Sequence, residues 1–185
     1  MLWQIKGQAE DSFFQYADLT GDGKNDRIEV DMEAVRNPKS EDESSVRVFS
    51  GETQKEIWSR PVNVIHGGWA GIYLYHEGMH TYLLVWKPEM WLGAADYQWR
   101  VFRLTEDGKE MVIASDEFIF DVGRPKKSDP EDLEKFAEGL NQYLKNAFLV
   151  IDTNEGTVLS SNGAEVKAEL YDPSVDISNI REGLK

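Results

Sequence analysis

The chain has 185 residues, with Lys+Arg 20 against Asp+Glu 34, a net charge of −14 at neutral pH. An acidic balance of this size excludes a binder of the phosphate backbone, which needs a basic surface to displace counterions. With 41% hydrophobic and 11% aromatic residues the chain is too apolar for intrinsic disorder, and it is long enough to bury a core. The absence of cysteine excludes disulfides, thiolate zinc sites and cysteine nucleophiles. The longest apolar run, Ala147 to Ile151, is far short of the ~20 residues that a membrane-spanning helix requires.

Met1 to Lys6 has no signal-peptide pattern, so either the protein is cytoplasmic or its leader lies outside this sequence. From there to residue 122, short runs of Val, Ile, Tyr, Phe and Trp alternate with Gly, Asp and Asn. This pattern predicts antiparallel strands over 12–17, 27–33, 46–50, 55–59, 72–75, 80–86, 96–104, 111–115 and 117–122. Alternation is clearest where Ile28, Val30 and Met32 oppose Arg27, Glu29 and Asp31. A basic connector with one proline, Gly123 to Lys127, opens the second region. There Ser128 or Asp129 as cap, Pro130 in the first turn, and Leu133, Phe136, Ala137, Leu140, Leu144 and Ala147 at helical spacing predict a helix over 129–146. Strands over 148–152 and 166–171, a hairpin turn at Asn162-Gly163 and a short helix opened by Asp172-Pro173 complete the chain. The expected fold is β-rich α+β. It comprises antiparallel strands and hairpins in region 1–122, then one long amphipathic helix and a C-terminal hairpin in region 123–185, both in one structural domain.

The most specific motif is Asp18-Leu19-Thr20-Gly21-Asp22-Gly23-Lys24-Asn25-Asp26, with oxygen-bearing side chains at loop positions 1, 3, 5 and 9. A calcium ion takes six to eight hard oxygens, so the expected ligands are Asp18, Thr20, Asp22 and Asp26, the Lys24 carbonyl and water. Three carboxylates in one small loop repel by roughly 3 kcal/mol per pair at about 5 Å unless a cation intervenes. The competing reading is a metal-free Asp/Gly turn held by side-chain-to-backbone hydrogen bonds. Leu104 to Lys109 repeats the turn residues but has Arg103 and Met111 where ligands would stand, and reads as a plain hairpin. Asn25 at position 8 and strand-like flanks argue against an EF-hand.

Residues 17–28 resemble the calcium loop of FG-GAP and VCBS-type β-hairpins, which implies extracellular calcium. A wider resemblance is carried by Tyr73 to Val85, Gly93 to Tyr97, Val101 to Gly108 and Leu144 to Ile151, and covers about half the chain. These stretches look like uncharacterised secreted proteins or lipoproteins of Gram-positive bacteria. That likeness implies an extracellular or cell-envelope location and brings no activity.

His76-Glu77-Gly78-Met79-His80 satisfies H-E-x-x-H, whose zinc chemistry requires both imidazoles on one helix face. The flanks read as strands with Gly78 at a hairpin tip, which weakens it. Aromatics crowd residues 69–102; most belong in a core, while Met90 and Trp91, read as a loop, form with Trp86 a candidate contact patch for a glycan or a protein. No catalytic residue is assigned. The leading expectation is a non-enzymatic extracellular or cell-envelope binding module with structural calcium; the alternatives are a carbohydrate-binding module and a zinc hydrolase.

Overall fold

In a computed structural model, residues 12–37, 39–40, 43–62, 71–91, 94–121, 124 and 126–152 are described. The expected strand over 166–171, the Asn162-Gly163 turn and the last helix lie outside them. Strands β1 (Ser12–Ala17), β2 (Asp26–Asp31), β3 (Val46–Phe49) and β4 (Glu56–Arg60) pair in that order into an antiparallel sheet. A second antiparallel sheet contains β5 (Gly71–Glu77), β6 (His80–Trp91), β7 (Ala94–Leu104), β8 (Glu110–Asp121) and β9 (Ala147–Asp152), in the order β8-β7-β6-β5-β9. Two helices, α1 (Met32–Arg36) and α2 (Asp129–Leu144), complete the β-rich α+β architecture.

The second sheet is covered on both faces, because successive residues of a strand point to opposite sides. Ile72, Leu74, Leu83, Val85, Phe102 and Leu104 pack against Ile28, Val30, Val46, Val48 and Trp58 of the first sheet. Their neighbours Tyr73, Leu84, Trp86, Trp99 and Val101 pack with Leu133, Phe136, Ala137, Leu140 and Leu144 of α2. The layers are therefore sheet, sheet and helix, with two cores sharing the middle layer. Strand β9, which follows α2, pairs with β5, so the two sequence regions meet within one sheet.

Most elements shift by one to three residues from the sequence reading, and three differences have a clear physical reason. The alternation through Met32 suggested a strand to residue 33, but β2 stops at Asp31, whose side chain accepts from Ala34 N (3.1 Å) and caps α1. A helical turn buries Met32, Ala34 and Val35 as well as a strand would, and the cap decides between them. The two strands expected over 111–122 are one, β8, because β7 offers an unbroken partner and an edge strand accommodates the polar Ser115-Asp116-Glu117 on its ladder. Strand β6 continues to Trp91, so Met90 and Trp91 pair with Ala95 and Ala94 rather than lying in a loop.

Candidate functional site

The aspartate loop joins β1 to β2. Gly21 (φ +79°) and Gly23 (φ +83°) occupy the left-handed region that this tight coil demands. Backbone N–H groups brace two of the acids: Asp18 accepts from Gly21 N (2.7 Å) and Gly23 N (3.0 Å), and Asp22 accepts from Lys24 N (2.7 Å). Lys24 donates outward to Glu52 (2.8 Å), and that hydrogen bond, opposed by a little desolvation, holds its ammonium above the usual lysine range.

Asp26 stands apart. It is 0% exposed, and its carboxylate accepts from Leu19 N (2.9 Å), Thr20 N (3.0 Å) and Gly51 N (2.9 Å). Three backbone donors satisfy a buried charge that would otherwise be costly, and they tie the start of the loop to the turn after β3. The contact is close: a Cβ at Gly51 would fall 2.4 Å from the Asn25 carbonyl oxygen. In the sequence Asp26 had read as a ligand; nothing in it marked this backbone role, because one partner lies 25 residues away.

Among the described residues, no three of the His, Asp and Glu side chains gather as a metal shell would require. Asp18, Asp22 and Asp26 are thus not drawn onto one point. Within the loop, Thr20 Oγ1 is sealed from solvent without a hydrogen-bond partner. Asp18, Asp22, this hydroxyl and the Lys24 carbonyl are all hard oxygen donors.

The second loop packs beside the first, with Leu104 N donating to the Leu19 carbonyl (3.0 Å). It is closed by its own charges, since Lys109 pairs with Asp107 (2.5 Å) and holds that carboxyl below the usual range. Arg103 at its start reaches the first loop, where a Cβ on Gly21 would lie 3.5 Å from Arg103 Nη1.

His76 and His80 flank the β5–β6 turn, in which Gly78 has φ +61°. Glu77 pairs with His80 and His76 with Thr81, so the register sends the two imidazoles to opposite faces of the sheet. His76 Nδ1 lies 3.0 Å from Thr81 Oγ1 and its ring meets Phe148 edge-on; burial pulls its pKa below the ordinary histidine value.

Trp86 does not belong to a surface patch. It is 3% exposed, between Tyr97 and Phe136, because β6 turns this residue toward α2. No family model matches the chain, and no curated protein or solved structure matches it either. No described helix is long and apolar enough to cross a membrane.

Proposed function

We propose that the chain is a non-enzymatic binding module of the extracellular space or cell envelope, whose Asp18–Asp26 hairpin holds a structural calcium ion. The observation that carries this reading is the sealed Thr20 hydroxyl without a partner, at the loop position between two carboxylates that backbone N–H groups already orient. A carboxylate oxygen that accepts one hydrogen bond keeps a lone pair for a cation, so bracing and ligation are compatible at Asp18 and Asp22. With Asp26 engaged by three backbone donors, the proposed shell is Asp18, Thr20, Asp22, the Lys24 carbonyl and water. Two carboxylates suit the weak affinity of extracellular modules, with dissociation constants of about 10⁻⁴ to 10⁻³ M.

The test is a thermal melt of wild type and Asp22→Ala in chelator and in millimolar calcium. A ligand of the folded state adds RT ln(1 + [L]/Kd), here roughly 1 kcal/mol or somewhat more. The wild type should gain a few degrees, at about 2–4 °C per kcal/mol for a chain of this size, and magnesium should do less because it resists dehydration. Asp22→Ala should not respond. A wild type indifferent to calcium would reduce the loop to a turn.

A further inference from the structure

We infer that the cleft between β4 and the β6–β7–β8 face of the second sheet binds a small organic carboxylate that also carries hydroxyl or amino groups, with Arg60 as its principal contact. The inference is independent of the calcium loop. Strand register builds the floor: Val85, Arg100 and Ser115 lie in one cross-strand row, and Lys87, Gln98 and Glu117 in the next. Both rows share the face that carries Leu83 and Phe102 into the core, but here the first sheet has ended and leaves a cavity of about 240 Å³. Arg60, the last residue of β4, lines it from the opposite wall.

Arg60 is the unusual group. Its side chain is only 30% exposed, yet its closest carboxylate, Glu110, stands at 3.9 Å, beyond hydrogen-bond reach. Glu110 is engaged elsewhere, accepting from Trp58 Nε1 (3.0 Å) and Arg100 Nη1 (2.8 Å). Among the described residues the guanidinium of Arg60 therefore makes no hydrogen bond. The guanidinium is partly withdrawn from water and its ion pair with Glu110 is not hydrogen-bonded; burial pulls it below its ordinary pKa, with Glu110 opposing and Arg100 adding to the fall.

A planar carboxylate is the acceptor that the guanidinium fork matches best. Arg60, Lys87 and Arg100, the last already paired with Glu110, line the cavity together with the acids Asp116 and Glu117, so both signs of charge meet in it. The far side of the floor has the opposite character. Glu117 accepts from Gln98 Nε2 (2.9 Å) beside the Ser115 hydroxyl, so it offers acceptors to a hydroxyl or an ammonium group and repels a second anionic centre. A monocarboxylate with polar substituents satisfies both ends, whereas inorganic phosphate satisfies one. The volume suits a molecule of amino-acid or monosaccharide size. Sugar acids and amino acids are the two sources of that chemistry.

The test titrates wild type, Arg60→Gln and Arg60→Lys with D-glucuronate, L-serine, D-glucose and inorganic phosphate, by calorimetry and by tryptophan fluorescence, to which Trp58 is coupled through Glu110. Wild type should saturate with glucuronate, serine or both in the millimolar range, and glucose should not bind. Arg60→Gln should weaken binding at least tenfold at an unchanged melting temperature. Arg60→Lys keeps the charge without the fork, should bind several-fold more weakly than wild type, and decides the matter if the Gln variant misfolds. Glucuronate alone assigns the site to sugar acids and serine alone to amino acids. Saturation by neither, binding unaffected by both Arg60 variants, or phosphate binding as well as the carboxylates would overturn the inference.

Discussion

A carboxylate in a loop of aspartates reads as a cation ligand until its neighbours are counted, and Asp26 shows why the count matters. It is buried with three backbone N–H donors, whereas Asp18 and Asp22 keep partial contact with solvent. Removing Asp26 orphans three amides at once, each worth about 1–3 kcal/mol when buried and unpaired. Asp26→Ala should therefore cost about 3 kcal/mol or more, a fall of about 6–12 °C in melting temperature even with chelator present. Asp26→Asn should be nearly as damaging, because it places an amide donor against an N–H. Asp22→Asn in chelator should stay within about 0.5 kcal/mol of wild type, since its carbonyl can still accept from Lys24 N. Melts of the three variants without calcium separate a backbone-bracing role from metal ligation. Equal, small losses would mean that Asp26 matters only as a ligand.

At the scale of elements, α1 depends on one side chain. A helix of five residues has little intrinsic stability, and Asp31 satisfies an amide at its start while its own N–H bonds the Ser45 carbonyl. Asp31→Ala should cost about 1 kcal/mol, and Asp31→Asn, still a good cap, much less. Chemical denaturation of the pair measures the difference; equal losses would remove the cap from the account. The same residue shows what was legible in the sequence. Ile28, Val30 and Met32 are all buried, so alternation named the right core residues, but it could not tell a continuing strand from a capped turn that buries the same side chain. Beta-rich, antiparallel structure was legible because period two runs through β2, because β-branched and aromatic residues fill the other runs, and because Gly and Asp punctuate the chain between them. Long-range placement was not. Nothing near Gly108 announces that a Cβ there would lie 1.7 Å from the Ile57 carbonyl oxygen, or that Arg60 and Glu117 line one cleft. The loop motif could be read from residue spacing alone, whereas the cleft depends on strand register and on where the first sheet stops.

At the scale of the whole molecule, the middle sheet couples the two cores, and adjacent residues on β6 report on each. Leu83 is fully buried against the first sheet and Leu84 is fully buried against α2. Truncating either to Ala should cost about 2–5 kcal/mol, because the transfer term and the cavity are of the same kind on both sides. The more informative quantity is where the loss is felt. If the layers unfold as one unit, Leu83→Ala should accelerate amide exchange in α2, which it does not face, and Leu84→Ala should accelerate it in β2 and β3. Strand β6 transmits both effects, since its backbone ladder to β5 and β7 is common to the two cores. Hydrogen exchange followed by mass spectrometry on the two variants measures this directly. Exchange in α2 unchanged by Leu83→Ala, with β2 and β3 alone accelerated, would show that the first sheet opens independently of the helical layer, and the coupling would then stop at the middle sheet.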